Sequence, residues 1–97
     1  MTTDNLKFLS ELEQILRRRA EADPSESYTA MLLQRGQSYI SQKLGEEAVE
    51  LAIAGVQADA DQVVAEAADL LYHLLVLLQS HDLQLGDIVT ELESRHR

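Results

Sequence analysis

Two short segments hold most of this chain's capacity for chemistry: EEAVE at residues 46–50 and EAADLLYH at 66–73. In the second, Glu66, Asp69 and His73 recur at i, i+3 and i+7, so at about 100° per residue they share one stripe of a helix. From Leu70 onward that helix is almost purely aliphatic. In the first, Lys43, Glu47 and Glu50 recur at i, i+4 and i+7, with Glu46 at the edge of the same face. A short turn between the two helices makes them antiparallel neighbours, so the acid stripes can face each other. At about 4 Å each pair of like charges costs several kcal/mol at a protein-like effective dielectric. Either some acids are protonated or cations sit between them. Oxygen-only donors favour hard ions, Mg²⁺ first and Mn²⁺ second. Mg²⁺ held by a few carboxylates keeps positions for water and phosphate oxygens, which suits phosphate chemistry.

Each feature also has a plainer reading. EEAVE alone is the composition of a solvated helix face, with Lys43 and Glu47 supporting each other at i, i+4. Glu66 and Asp69 could cap or pair with arginine, although acids inside an aliphatic helix are less common than acids on a surface. The two motifs together, on adjacent helices, are the stronger signal. His73 alone reads as a satisfied core or interface histidine, and its place on the acid stripe adds a substrate-contact reading. Gly45 costs about 1 kcal/mol inside a helix, a cost that close helix packing or the approach of a ligand would offset. Arg17–Arg19 is either a basic helix end suited to the helix dipole or a patch that steers phosphates. A carboxylate di-metal bundle expects Glu-x-x-His on two helices. His73 and His81 lack a Glu three residues before them, and Glu93-Ser94-Arg95-His96 supplies one such motif where two are expected, so that reading is set aside.

The elements that must position these residues are helical. Ala, Leu, Glu and Gln abound, β-branched runs are absent, and aromatic residues make up 4% of the chain. These are helix formers, so the expected fold is all-α, a bundle of four to five helices. Asp4 is a plausible N-cap for a first helix reaching about Glu21, with Leu6, Leu9, Leu12, Ile15 and Leu16 at helical spacing. Pro24 breaks the chain in a loop over 22–27. Ser27 or Thr29 caps a short helix, YTAMLLQR, closed by Gly36. A third helix spans 38–55 and ends near Gly55; Leu44, Val49, Leu51 and Ile53 supply its packing side. VQADAD is the turn. A fourth helix runs from about Asp61 to Ser80, and a linker at 81–87 leads to IVTELESRH with Asp87 as its cap. The fourth helix is apolar around most of its circumference, the pattern of a helix covered on all sides. A chain of 97 residues makes a thin core, so a second copy, through a two-fold interface, is the expected cover.

Length bounds the chain to one domain, residues 1–97. A net charge of −9 argues against non-specific nucleic-acid binding, which needs cations against phosphate, and against an anionic membrane surface. It leaves room for a polyanionic metabolite with a divalent cation in between. With no cysteine, disulfides, zinc–thiolate sites and cysteine nucleophiles are excluded. The N-terminus lacks a basic and an apolar region, so no signal peptide is expected. The longest apolar run falls short of the roughly 20 residues of a membrane span. The cytoplasm is the default location.

EEAVE, fifteen intervening residues and EAAD resemble the E-E-x-x-E … E-x-x-D signature of the all-α nucleoside triphosphate pyrophosphohydrolase superfamily, which includes MazG and the dimeric dUTPases. SYTAMLLQRG, QKLGEEAVELAIA, EAADLLYHLLVLL and LQLGDIVTELESR are similar to one branch of it, the phosphoribosyl-ATP pyrophosphohydrolases of histidine biosynthesis. The similarity runs from about Leu6 to Arg95. The acids specify the superfamily; Ser27-Tyr28-Thr29 and DLLYHLLV specify the branch. The resemblance implies a MazG-like bundle completed by dimerisation, a homodimer or higher homo-oligomer. It also implies Mg²⁺-dependent hydrolysis of the α–β phosphoanhydride of 1-(5-phosphoribosyl)-ATP, giving phosphoribosyl-AMP and pyrophosphate. By the family pattern Glu47, Glu50, Glu66 and Asp69 match the metal ligands. Glu46 matches the extra acid of the signature, so Glu46 and Glu47 are the candidate catalytic acids. Lys43 matches a basic position suited to a phosphate oxygen, and Ser27, Tyr28 and Thr29 match a segment read as touching phosphate or ribose. Where the family often carries a lysine this chain has Met31, so Arg35 or the Arg17–Arg19 run would take over a phosphate contact. In some organisms the activity is fused to the next enzyme of the pathway; a chain ending at Arg97 would be the stand-alone form.

Two other functions compete. One is a house-cleaning pyrophosphohydrolase of non-standard or deoxynucleoside triphosphates, with the same metal site and a different base pocket. The other is a non-enzymatic acidic helical module. Ser27-Tyr28-Thr29 with DLLYHLLV favours the branch over the first, and acids set into an aliphatic helix count against the second.

Overall fold

The computed structural model describes residues 4–97; the side chain of Asp4, and with it the expected cap, lies outside the described residues. Among the described residues the chain is all-α. A 3₁₀ turn, Asp4–Leu6, leads into α1 (Lys7–Arg19), followed by α2 (Tyr28–Arg35), α3 (Gln37–Gln57), α4 (Ala60–Ser80) and α5 (Leu85–Arg95).

The element boundaries follow from local chemistry. Ser27 is the cap of α2: its backbone is extended and its Oγ accepts from the Ala30 amide at 3.1 Å. Thr29 lies inside the helix. Gly36 closes α2 at φ +95°, a conformation that glycine alone adopts without strain, and α3 starts at the very next residue. α3 does not stop near Gly55. It runs through Gln57, and Ala58 makes the left-handed turn at φ 57° and ψ 33°. Asp59 then caps α4, its side chain accepting from the Gln62 amide at 3.2 Å. The connection is therefore Ala58 and Asp59, shorter than VQADAD. Helix α5 starts at Leu85, earlier than expected. Asp87 is not its cap but its third residue, and it reaches back to the Gln84 amide at 2.8 Å in a reciprocal capping box.

The core gathers Leu16 of α1, Leu32 of α2, Ile40 of α3 and Leu75, Val76 and Leu78 of α4. All belong to one end of the α3–α4 hairpin, where α1 and α2 close over it. Helix α5 buries none of its own residues fully, and the Leu85 amide anchors it by donating to Glu13 Oε2 at 2.7 Å. By length and composition α4 would pass for a membrane span; here it carries three acids, Asp61, Glu66 and Asp69, and packs along α3 as the central helix.

The other end of the hairpin corrects an expectation. Val49, Ile53, Val56 and Val64 are 60%, 51%, 88% and 70% exposed. Val49 and Ile53 therefore do not supply packing within this chain, and the first half of α4 is not covered on all sides. Gly45 likewise marks no close contact, since a Cβ there would meet nothing within 4 Å.

Candidate active site

The α3–α4 hairpin builds the site by symmetry about its connection. Glu50 and Glu66 stand equally far from Ala58 in sequence, as do Glu47 and Asp69, and as do Lys43 and His73. With equal rise per residue in both helices, antiparallel packing makes three rungs: acid with acid, acid with acid, then lysine with histidine.

At the acid rungs, Glu47, Glu66 and Asp69 each bring an oxygen within 4.8 Å of the others. Glu47 Oε2 and Glu66 Oε2 are shielded from solvent and have no hydrogen-bond partner. Burial, then the charges of Glu50 and Asp69, pushes the Glu47 carboxyl above the ordinary range. Glu66 is also raised, first by a hydrogen bond shared with Glu50, then by burial. Native proteins rarely leave buried polar atoms unpaired. Three converging carboxylates with two orphaned oxygens form a donor set that fits a hard divalent cation.

At the third rung His73 is buried and fixed at both nitrogens. Its Nδ1 lies 2.8 Å from the Asp69 carbonyl oxygen, which only accepts, so Nδ1 carries a proton. Its Nε2 lies 3.0 Å from the Tyr28 hydroxyl; in the neutral ring Nε2 accepts and Tyr28 donates. Tyr28, Tyr72 and His73 form an aromatic cluster, with His73 edge-on to both tyrosines at centroid distances of 5.8 and 5.1 Å. Burial raises the Tyr28 phenol, opposed by the charge of Lys43.

The remaining expected residues divide. Glu46 is turned away from the acid rungs. Its Oε1 lies 3.2 Å from Lys43 Nζ and its Oε2 accepts from Gln42 at 3.2 Å, and these partners hold its carboxyl low. Lys43 therefore stands beside the site with Glu46 as its counter-charge. Thr29 is buried, with Oγ1 2.6 Å from the Tyr72 hydroxyl. Ser27 is occupied as a cap. Arg35 stacks over the Tyr39 ring at 4.0 Å, and no ion pair joins it to an acid among the described residues. Sequence reasoning missed Tyr72. Its hydroxyl on Thr29 and its ring against Tyr28 turn it toward α2, a contact set by how α2 crosses α4.

A family model described as phosphoribosyl-ATP pyrophosphohydrolase matches residues 9–96. A phosphoribosyl-ATP pyrophosphatase of Agrobacterium fabrum is 54% identical over 87 residues, covering 90% of this chain and 81% of that protein. Two proteins named histidine biosynthesis bifunctional protein HisIE are also similar. That of Vibrio cholerae is 50% identical over 93% of this chain and 43% of its own length. That of Photobacterium profundum is 53% identical over 94% and 44%. The chain thus spans less than half the length of these bifunctional relatives.

Proposed function

The chain belongs to the phosphoribosyl-ATP pyrophosphohydrolase family, and from that premise we propose that it hydrolyses 1-(5-phosphoribosyl)-ATP to 1-(5-phosphoribosyl)-AMP and pyrophosphate in histidine biosynthesis. The observation that carries the reading is the convergence of Glu47, Glu66 and Asp69 with two unpartnered oxygens, in a family named for a triphosphate substrate. In the reaction a water oxygen bonds to phosphorus, the α–β bridge breaks, and a proton is released.

Glu47, Glu50, Glu66 and Asp69 are the residues that would hold Mg²⁺, with Mn²⁺ as the alternative. When bound, the ion supplies charge neutralisation for the triphosphate and a more acidic water. The protein's own part is positioning and electrostatics. In this scheme Glu47 Oε2, which has no hydrogen-bond partner, takes the proton of the attacking water. Lys43, kept beside the acids by Glu46, meets a phosphate oxygen. His73, with its proton held at Nδ1 by the Asp69 carbonyl, keeps the Tyr28 hydroxyl in place at the edge of the site. Glu46 acts through Lys43 in this scheme, as a positioning residue.

The exposed apolar side chains Val49, Ile53, Val56 and Val64 support a homodimer that covers the open end of the hairpin, and a pathway enzyme of this type works in the cytoplasm. The deciding experiment measures pyrophosphate release from phosphoribosyl-ATP and from a panel of deoxynucleoside triphosphates, with Mg²⁺ and with EDTA. Release from phosphoribosyl-ATP alone, abolished by EDTA, is the expected result. Release only from the panel would make the protein a house-cleaning enzyme, and release from neither would leave a binding module.

A further inference from the structure

Outside the acid rungs, one cavity of about 390 Å³ lies between the end of α1, the loop before α2, and α4; it is lined by Arg19, Ala22, Glu26, Ser27, Tyr28, Thr29 and Tyr72. We propose that this cavity holds the ribosyl 5-phosphate arm of the substrate, and so distinguishes a phosphoribosylated nucleotide from a plain nucleoside triphosphate. The proposal rests on the pyrophosphohydrolase reading above.

Four observations lead there. First, Arg19 has no carboxylate within ion-pairing distance among the described residues, where the ion pairs are Lys43–Glu46 and Arg95–Glu91. In a chain of net charge −9 a guanidinium without a counter-ion beside a cavity is the natural partner of a ligand anion. Its charge reaches into the cavity wall: the Tyr72 phenol, raised by burial, is drawn back by the Thr29 hydrogen bond and by Arg19. Second, the wall carries one acid, Glu26. A carboxylate disfavours a bare inorganic anion but accepts hydrogen bonds from vicinal hydroxyls, so cation and acid together fit a sugar phosphate. Third, α2 starts here. Ser27 Oγ satisfies the Ala30 amide and Ser27 O the Met31 amide, which leaves the Tyr28 and Thr29 amides as open donors of the first turn. Fourth, Tyr28 belongs both to this wall and to the Lys43–His73 rung, through its hydroxyl on His73 Nε2 at 3.0 Å. A ligand arm in the cavity is thus next to the catalytic rungs. The substrate has one phosphate group apart from its triphosphate, and this cavity offers that group a cation that the metal site does not use.

The test compares wild type, Arg19→Met and Arg19→Lys. Arg19 is an exposed residue at a helix end, so these variants keep the fold. The ratio of kcat/KM for phosphoribosyl-ATP to kcat/KM for ribosyl-ATP, which lacks the ribosyl 5-phosphate, reads the contact directly. The ratio should fall about tenfold to a hundredfold in Arg19→Met, the loss expected of a charge-assisted hydrogen bond, and recover in part in Arg19→Lys. In EDTA, ribose 5-phosphate should shift the amide resonances of Arg19, Tyr28 and Thr29 saturably, with at least tenfold weaker binding in Arg19→Met and none with ribose. Turnover with an unchanged ratio overturns the proposal and leaves the enzymatic reading standing. If wild type turns over no phosphoribosyl-ATP, the enzymatic reading fails, and the ribose 5-phosphate titration then decides the cavity by itself: failure to saturate overturns it.

Discussion

The Tyr28 hydroxyl lies 3.0 Å from Nε2 of His73, tying the first turn of α2 to the middle of α4 beside the acid rungs. Because His73 Nδ1 is already committed to the Asp69 carbonyl, Tyr28→Phe leaves a buried ring nitrogen without a partner. We expect a loss of about 1–3 kcal/mol in stability, the cost of an unsatisfied buried acceptor, read by denaturant or thermal melts. Activity should fall with it, because Tyr28 also lines the Arg19 cavity. An unchanged melting point would mean that the bond contributes nothing in solution.

Glu47→Gln and Asp69→Asn remove charge from the centre of the cluster and nothing from the core, which lies toward the α1–α2 end of the hairpin. Turnover should be lost, by at least a thousandfold if the carboxylates hold the metal, while the helical circular dichroism is retained. Full Mg²⁺-dependent activity in both variants would remove the cluster from the mechanism.

The metal-free protein has a characteristic pH dependence. The Glu47 carboxyl is raised chiefly by burial, and that of Glu66 by its hydrogen bond with Glu50. Raised carboxyls bind protons more readily folded than unfolded. Their contribution is present in full below the ordinary carboxylate range and is lost as pH rises through the raised values. In EDTA, wild type should therefore lose stability on going from mildly acidic to neutral pH by more than Glu47→Gln/Glu66→Gln does. Mg²⁺ should restore it, by about 2.7 kcal/mol at a hundredfold excess over Kd, and more at neutral than at acidic pH. The same melting curve with and without Mg²⁺ at neutral pH would count against a metal at these residues.

The rungs were legible in the sequence because helical periodicity fixes which residues share a face, and Glu47, Glu50, Glu66 and Asp69 carry it without exception. Side-chain choice within a face was not. Glu46 has the same chemistry as Glu47, yet Lys43 and Gln42 draw it aside. Tyr72 and the cavity beside Arg19 depend on where α1 and α2 cross α4, which no local pattern encodes. The boundary errors have similar roots. Gly55 has the composition of a helix stop, but Ala58 makes the left-handed turn. Asp87 suits a cap as well as a third position. Val49 and Ile53 are apolar on a helical face, and apolarity does not say whether the chain's own core or a second molecule covers it.

Ala58 and Gly45 invert the usual placement of these residue types. An L-residue in the left-handed region costs about 1–2 kcal/mol, and glycine inside a helix about 1 kcal/mol relative to alanine. Ala58→Gly should stabilise the protein modestly. Gly45→Ala should also stabilise it, by up to about 1 kcal/mol, since its Cβ meets nothing. If Gly45→Ala instead lowers activity while raising the melting temperature, the open space beside it is where a ligand passes.

Val56 tests what covers the open end of the hairpin. At 88% exposure it contributes nothing to the folded single chain, and with Val49 and Ile53 it forms an apolar stripe at i, i+4 and i+7 on α3. In a monomer, Val56→Glu is close to neutral, as surface substitutions are. Across a two-fold interface it buries an unpaired charge and, near the axis, sets it opposite its own copy. Sedimentation should show wild type as a dimer and Val56→Glu dissociating at more than tenfold higher concentration, with thermal stability falling because dimer stability is tied to concentration. Equal sedimentation of both proteins as monomers would leave the stripe unexplained. Equal sedimentation as dimers would move the interface to another face.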